Sequence, residues 1–303
     1  MTKEKTLNLT NENSVYTFKV NREYKKLRDF LKASGVSTRY IKRAIKNREI
    51  FLNGKRIKTN HALEQGDEVK LLIPDEEYNV ICEEGDLEII YEDSDLLAVN
   101  KPPGLIVHAV GIEQTGTLSN YVGGYFKSIG LKRKVRVINR LDRDTSGIVL
   151  FAKNSLAHSK MAPQFLERSV EKIYIAAVKG YLEREGTVEG GILLSDDGIK
   201  REVSDEGKDA VTEYEVIGKS PVGSILKLQI LTGRTHQIRV HLSSLGHPIL
   251  GDTLYGGECE LIVRQALHSY SISFKHPNTG DEIYLKAKIP EDMRKLTKDL
   301  TDY

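Results

Sequence analysis

One stretch of the chain joins a charged turn directly to an apolar strand, and it constrains the fold more than any other. Residues 139–147 read N-R-L-D-R-D-T-S-G, and residues 148–152 that follow are all apolar. A short apolar run of this kind predicts a strand buried in a core. The turn is therefore expected at the edge of that core in a fixed position, which is where proteins place reactive side chains.

Asp142 is the candidate reactive group in this turn. It stands between Arg140 and Arg143, and an opposite charge nearby favours the ionised form of a carboxylate. An ionised, fixed aspartate serves as a nucleophile or an electrostatic partner rather than as a general acid. From these residues alone, a structural Arg–Asp clamp that only holds the turn remains the alternative.

Metal sites are not predicted. The turn begins like a calcium loop at Asp142, but Lys153 stands where the bidentate glutamate is required. Three histidines of the carboxy-terminal half are spaced by five and six residues, so no two share a helix face: His236, His241 and His247. Phosphate-binding loops and nucleophile elbows are not found either, and no cofactor is expected.

The length and composition predict a cytoplasmic protein of two domains, or of one large domain with an appendage. The chain has 303 residues, and no apolar run approaches the roughly 20 residues of a membrane span. Residues 1–10 lack the apolar core of a signal peptide. The two cysteines, Cys82 and Cys259, are far apart and are expected to be reduced.

The basic residues are concentrated at the amino-terminal end. Residues 1–75 contain 17 Lys and Arg against 9 Asp and Glu, and the remaining chain is acidic on balance. A basic module on a mildly acidic body is typical of a protein with an anionic partner such as nucleic acid.

Within this basic module, the pattern predicts two helices followed by a small sheet. Leu27, Phe30 and Leu31 are spaced for one helix, Ser37 or Thr38 can cap a second, and the Asn-Gly pair at residues 53–54 is a hairpin signal. The string T-R-Y-I-K-R-A-I from Thr38, with L-N-G-K from Leu52, resembles the alpha-L RNA-binding module of a ribosomal small-subunit protein and many RNA-modifying enzymes. The resemblance implies RNA-backbone contacts by four residues: Arg39, Lys42, Arg43 and Lys55.

The rest of the chain predicts a strand-rich body. We expect a flexible tail over residues 1–14, the RNA-binding domain over 15–75, an acidic linker over 76–86 and a catalytic domain over 87–303. In that last domain the strands are many and the helices few, so the fold class is α+β with a mixed, mostly antiparallel sheet. Thr235 is expected to cap a helix with Ile238, Leu242 and Leu245 on its inward face.

Five motifs in this body occur in a family order. They are K-P-P-G-L-I-V-H from Lys101, N-R-L-D-R-D-T-S-G from Asn139, K-I-Y from Lys172, T-G-R-T-H-Q-I-R-V-H from Thr232 and G-H-P-I-L-G-D from Gly246. Together they resemble the RluA-type pseudouridine synthases, which isomerise uridine in structured RNA. The chain departs from the family at Asn139, where His is usual, and at Ala109, where Pro is usual.

The resemblance implies roles for individual residues. Asp142 starts the isomerisation by attacking the sugar or the base, or by removing a sugar proton. Tyr174 stacks on the base, and Arg239 pairs with Asp142. Four further residues are implied as contacts to RNA or the pocket: Arg140, Arg234, Lys101 and His108. Ribosomal RNA is the expected partner, with transfer RNA as the alternative, and the enzyme is expected to be a monomer without metal or membrane partner.

Two other functions stay open at this point. Asn139 and the basic module suit a non-catalytic RNA-binding or ribosome-assembly factor on the same fold. Asp142 and Asp144 could also serve a metal-dependent nuclease.

Overall fold

The computed structural model describes residues 15–57, 61–109 and 114–296. The expected tail, residues 1–14, lies outside the described residues, as do residues 297–303. Among the helices in the described ranges, none has the length and apolar character needed to cross a bilayer.

The amino-terminal domain is a four-stranded sheet with two helices. Its elements are β1 (Val15–Lys19), α1 (Leu27–Ala33), α2 (Thr38–Lys46), β2 (Ile50–Leu52), β3 (Lys55–Arg56) and β4 (Glu68–Leu72). The sheet order is β1-β4-β2-β3 with antiparallel pairing. Both predicted helices and the hairpin at residues 53–54 are confirmed, and Ser37 caps α2 by accepting a hydrogen bond from the backbone N–H of Tyr40.

One apolar core holds this small domain together. Leu27 and Leu31 of α1 and Ile41 of α2 are buried against Ile50 and Leu71 of the sheet, each at most 1% exposed. Full burial of such a side chain contributes about 1.5–3 kcal/mol. The helical spacing therefore turns one face of each helix to the sheet and leaves the basic face in solvent.

The carboxy-terminal domain is built on one large sheet. Its strands are β5 (Glu88–Glu92), β6 (Leu96–Lys101), β7 (Arg136–Val137), β8 (Ser146–Ala152), β9 (Glu171–Ala177), β10 (Glu185–Leu194), β11 (Arg201–Val203), β12 (Lys208–Ser220), β13 (Gly223–Ile230), β14 (Leu267–Lys275) and β15 (Glu282–Lys286). Its helices are α3 (Leu118–Ser128), α4 (Ser155–Leu166), α5 (Gln237–Ser244) and α6 (Glu291–Arg294), and a short 3-10 helix spans Thr253–Tyr255.

The sheet is mixed but mostly antiparallel. Its main path is β11-β10-β12-β13-β9-β14-β8-β6-β5, with β15 beside β14 and β7 beside β8. The pair β8 and β14 is parallel, and the other pairs are antiparallel. The expected α+β class and sheet type are therefore confirmed, although the sequence did not predict the edge strand β11.

The strand after the charged turn is the buried centre of this domain. All seven residues of β8 are buried between β6 and β14. Gly147 at its start has φ 112°, and a Cβ there would lie 2.2 Å from the backbone oxygen of Ser269. Only glycine fits both the backbone conformation and this close approach, so the turn before β8 is held against β14.

The acidic connection between the domains lies along the second domain. Residues 76–86, all of which the structure describes, contain no helix or strand. Glu76 forms an ion pair with Arg136 at 2.6 Å. A Cβ on Gly124 of α3 would lie 1.9 Å from the backbone oxygen of Glu83. The glycine inside α3 therefore allows the connection to pack directly on the helix.

The two domains also meet through side chains. The Tyr16 hydroxyl donates to the buried carboxylate of Asp95, which also accepts from Asn154 Nδ2 at 2.7 Å. The ammonium of Lys160 on α4 lies 5.2 Å from the ring centroid of Phe18, and Leu156 packs into the amino-terminal core. These contacts give the amino-terminal domain a defined position on the larger one.

Candidate active site

A cleft of about 860 Å³ opens beside the turn that precedes β8. This volume is in the range of sites that bind small molecules or single nucleotides. Six of the seven residues to which the resemblance assigns a catalytic or pocket role line it: His108, Arg140, Asp142, Tyr174, Arg234 and Arg239. Chain segments far apart in sequence therefore converge on the predicted turn.

The turn that carries Asp142 is held by hydrogen bonds within the turn and by hydrogen bonds from Arg264 and Gln265. The backbone N–H of Thr145 donates to the backbone oxygen of Asp142 at 3.2 Å. Gln265 Nε2 donates to Thr145 Oγ1 at 2.6 Å, and Arg264 Nη1 donates to the backbone oxygen of Asp144 at 3.1 Å. These contacts fix the backbone and leave the Asp142 side chain partly exposed in the cleft, at 30%.

Arg239 joins Asp142 to a second carboxylate. Its Nη1 donates to Asp142 Oδ2 at 3.1 Å, while Nε and Nη2 donate to the two oxygens of Asp252 at 2.6 and 2.8 Å. The side chains of Arg239 and Asp252 are 8% and 1% exposed. Asp252 thus holds the guanidinium in one orientation, and the guanidinium in turn holds the Asp142 carboxylate.

Helix α5, which carries Arg239, begins differently from the prediction. The residue before the helix is His236, not Thr235, and its backbone is left-handed with φ 58°. Leu245 is 41% exposed and lies at the end of the helix, so it is not part of the inward face. The predicted cap was wrong because the tertiary contacts of His236 and Arg239 in the cleft determine how the helix starts.

Tyr174 lies on β9 and is 7% exposed. Burial raises the pKa of Tyr174 to about 12, and the negative charge of Asp142 adds to this shift. The phenol is therefore neutral at ordinary pH and can donate a hydrogen bond.

Asn139 joins the turn to the strand that follows it. Its Nδ2 donates to the backbone oxygen of Ile148 at 3.1 Å, and its Oδ1 accepts from the backbone N–H of Leu150 at 2.8 Å. The amide has a donor and an acceptor, which suits both backbone groups. The departure from the family pattern thus leaves the turn tied to β8.

Lys101, for which the resemblance implies a contact to RNA or the pocket, lies inside the protein. It is fully buried, and its ammonium donates to the backbone oxygens of Pro102, Leu105 and Arg143 at 2.8 Å each. Burial lowers the pKa of Lys101 to about 7. The three carbonyl acceptors match the three donors of an ammonium, and they tie β6 to the catalytic turn.

The other predicted contacts of the cleft lie at its mouth. Arg140 and Arg234 are exposed, and Arg234 Nε donates to the backbone oxygen of Asp209 at 3.1 Å. His108 is half-buried, and burial together with the charge of Arg140 lowers its pKa. The rim of the cleft is thus cationic through arginine, with a neutral imidazole beside it.

On the amino-terminal domain, Arg39 and Lys42 of α2 and Lys55 of β3 are exposed. Arg43, also implied as an RNA-backbone contact, makes contacts within the protein. Its guanidinium lies 4.2 Å from the ring centroid of Tyr40, pairs with Glu49 at 3.5 Å and donates to Ser155 Oγ at 3.4 Å. Arg43 is therefore engaged within the protein, at the contact between the domains.

Three residues of the site were not assigned a role from the sequence. Asp252 is the last residue of the motif at residues 246–252 and Tyr255 follows that motif, and His236 was interpreted as an ordinary polar or supporting histidine. His236 Nε2 lies 3.8 Å from Asp142 Oδ2, and its Nδ1 lies 2.9 Å from the Tyr255 hydroxyl. The sequence signal that could have found them is a repeated spacing: His236 and Arg239 are three residues apart, and so are Asp252 and Tyr255.

The arrangement suits chemistry by a positioned carboxylate. Within residues 15–57, 61–109 and 114–296, no three His, Cys, Asp or Glu side chains come together as metal ligands. What the cleft supplies is a half-exposed aspartate held by a guanidinium, a neutral phenol and a cationic rim. Such a site can hold an anionic polymer while one carboxylate acts on a bound group.

Comparison with known proteins gives a consistent result. Residues 95–244 match the family described as RNA pseudouridylate synthase. An uncharacterized RNA pseudouridine synthase of Bacillus subtilis, YhcT, is 38% identical over 257 residues, covering 83% of this chain and 85% of that protein. Ribosomal large subunit pseudouridine synthase D of Xylella fastidiosa is 35% identical over 268 residues, covering 83% and 81%.

A solved structure agrees with these relatives. Human RNA pseudouridylate synthase domain containing 1 superposes with a TM-score of 0.58 at 29% identity, over 72% of this chain and 90% of that one. With its ordered motifs, its fold and its relatives in agreement, this chain belongs to the RNA pseudouridine synthase family.

Proposed function

We propose that this RNA pseudouridine synthase modifies ribosomal RNA and that Asp142 is its catalytic residue. The observation that carries the proposal is the Asp142 carboxylate, partly exposed in the cleft and paired with the buried Arg239 at 3.1 Å. Ribosomal RNA is favoured because relatives at 35% and 37% identity bear the name ribosomal large subunit pseudouridine synthase D.

The reaction is an isomerisation within one nucleotide. The bond between N1 of uracil and C1′ of the ribose breaks, and a bond between C5 and C1′ forms. The proton on C5 leaves and N1 gains a proton, so no electron acceptor or donor is consumed. A uridine in a stacked helix must first be turned out of the stack to expose these atoms.

The residues of the cleft divide this work. Asp142 starts the reaction by attack on the sugar or base, or by removing a sugar proton. Tyr174, neutral because burial raises its pKa to about 12, stacks on the base and can pass a proton. Arg140 and Arg234 at the exposed mouth hold phosphates next to the flipped nucleotide.

The amino-terminal domain is proposed to be of the alpha-L type and to grip RNA outside the cleft. Its exposed Arg39, Lys42 and Lys55 supply charge for phosphate contacts, which position RNA without reading its sequence. A large folded RNA provides the partner surface, so the proposal includes a monomeric enzyme. The proposal also places the enzyme in the cytoplasm, because its relatives named for the ribosomal large subunit are bacterial proteins.

The test maps pseudouridines in RNA from cells that lack this protein and from the same cells supplied with it. Wild type is expected to restore specific sites in ribosomal RNA, and Asp142→Asn is expected to restore none while still binding RNA. Asp144→Asn is the matched control, because it makes the same change in the same turn and should retain activity.

The outcomes separate the alternatives. If Asp142→Asn restores the pseudouridines, Asp142 is not the catalytic residue. If no pseudouridine depends on the protein but wild type and Asp142→Asn both rescue ribosome assembly, the protein acts as a non-catalytic assembly factor. Sites in transfer RNA alone would overturn the choice of ribosomal RNA.

A further inference from the structure

We propose that His236, held by Tyr255, is a positioning residue for Asp142: it constrains Oδ2 of the carboxylate so that Oδ1 is presented to the nucleotide. This inference rests on the proposed role of Asp142. It assigns a function to two residues that do not belong to the Asp142–Arg239–Asp252 chain.

The supporting geometry is a repeated pairing between two short segments. At the start of α5, His236 and Arg239 both face Asp142, at 3.8 and 3.1 Å from the same oxygen, Oδ2. In the 252–255 segment, Asp252 holds Arg239 and Tyr255 holds His236, the latter at 2.9 Å. Each of the two groups that approach Asp142 therefore has its own partner on the second segment, and these two partners are three residues apart.

Tyr255 supports both groups at once. Its ring meets the His236 ring edge-on, with centroids 5.8 Å apart and an angle of 84°, and the Arg239 guanidinium carbon lies 5.0 Å from the same ring. Replacing this tyrosine by a small residue would therefore affect both groups that approach Asp142, whereas removing only its hydroxyl leaves the ring contact with Arg239 in place and removes the contact with His236.

The hydrogen-bond directions select one form of the imidazole. The Tyr255 oxygen accepts from the backbone N–H of Arg201 at 2.8 Å, so its own hydrogen is free to be donated to His236 Nδ1. Nε2 then carries the ring hydrogen and points it at Asp142 Oδ2. The opposite tautomer would turn a lone pair toward a carboxylate, which is electrostatically unfavourable.

The backbone of His236 fits a functional constraint. Its φ of 58° is in the left-handed region, which few residues other than glycine occupy. Such conformations persist where surrounding contacts hold them, and they concentrate at active sites. Here the conformation directs the imidazole into the cleft at the first turn of α5.

The imidazole acts as a neutral donor rather than as a cation. Burial lowers the pKa of His236, although the charge of Asp142 opposes this shift. A distance of 3.8 Å is longer than a hydrogen bond, and contacts of catalytic groups commonly shorten when substrate binds. Since Arg239 and His236 both approach Oδ2, Oδ1 is the oxygen free of these two groups.

The kinetic test measures pseudouridine formation in a single turnover, with enzyme in excess over total RNA from cells that lack this protein. His236→Ala is expected to lower the rate constant by about 10- to 100-fold, as expected for losing a hydrogen bond to a charged group. RNA affinity should change by less than about twofold, because phosphate contacts dominate it. His236→Gln, which keeps a donor near the Nε2 position, should recover most of the rate.

Tyr255→Phe tests whether the Tyr255 hydroxyl holds His236 in place. Tyr181→Phe is its matched control at a tyrosine that is 58% exposed. Tyr255→Phe should slow the reaction and Tyr181→Phe should not. A wild-type rate in His236→Ala overturns the inference while the proposed function stands. Equal losses in His236→Ala and His236→Gln, with weaker RNA binding, would indicate a purely structural role. An inactive wild type on total RNA overturns the proposed function and this inference together.

A readout independent of activity is the nitrogen NMR spectrum of the histidines, with the His236 signal identified by its loss in His236→Gln. A neutral ring protonated at Nε2 at pH 7 is expected, and Tyr255→Phe should introduce the other tautomer. A ring protonated at Nδ1 in the wild type would contradict the inference.

Discussion

Arg239 Nη1 lies 3.1 Å from Asp142 Oδ2, although 97 positions separate the two residues in the chain. Arg239 reaches this place because Asp252 holds the other edge of its guanidinium. One cation therefore lies between two carboxylates, one almost fully buried and one open to the cleft. The predictions below follow from this arrangement and from the contacts around it.

Asp252→Asn should reduce both stability and activity. The change keeps the shape of the side chain but removes the charge that holds the buried Arg239. Breaking a buried pair costs about 3 kcal/mol or more of the free energy of unfolding, measured here by urea denaturation. The control is Glu215→Gln, whose pair with Lys227 is exposed at 3.4 Å and should contribute below about 1 kcal/mol. Equal stability of both variants would contradict this account.

Tyr174→Phe should bind RNA normally but form pseudouridine slowly, because it keeps the ring and loses the hydroxyl. The pKa of Tyr174 is raised to about 12, so the hydroxyl keeps its proton throughout the range from pH 7 to 10. Ionisation of Tyr174 should therefore not lower the wild-type rate constant between pH 7 and 10, as measured by single-turnover rates against pH. A loss near pH 10 that disappears in Tyr174→Phe would show that the phenol ionises there.

Arg39→Ala combined with Lys42→Ala should weaken RNA binding and make it less dependent on salt. Each lost phosphate contact reduces the slope of log K against log salt by about 0.9, so the slope should become shallower by about 1 to 2. The matched control removes the same charge from two exposed lysines of the other domain, Lys179 and Lys208. An unchanged slope in the first variant, or equal changes in both variants, would show that α2 does not contact the RNA.

Tyr16→Phe should loosen the contact between the domains. It removes the hydroxyl that donates to Asp95 and leaves a buried acceptor with one partner fewer, which costs about 1–3 kcal/mol. We expect faster proteolytic cleavage at residues 76–86 and separate unfolding of the two domains. Tyr284→Phe, at a tyrosine that is 58% exposed, should behave as wild type. Unchanged cleavage in Tyr16→Phe would show that other contacts maintain the docking.

Local patterns predicted several elements correctly. The apolar run at residues 148–152 is strand β8, and Ser37 caps α2. These features depend on residues close in sequence, through alternation, helical spacing and backbone hydrogen bonds. Helix α5 shows the limit of such patterns, because Thr235 is a good local cap but His236 takes that place in a left-handed conformation.

The candidate site divides in the same way. Sequence alone determined the charged turn, its buried strand, the basic amino-terminal module and the ordered motifs that led to Asp142. Only the tertiary structure decided that Lys101 is used inside the protein and that Arg43 pairs with Glu49. It also decided that His236 lies beside Asp142 and Tyr255 beside His236. The physical reason is that charge, spacing and apolar runs act along the chain, whereas burial and the choice of hydrogen-bond partner depend on which distant segments meet.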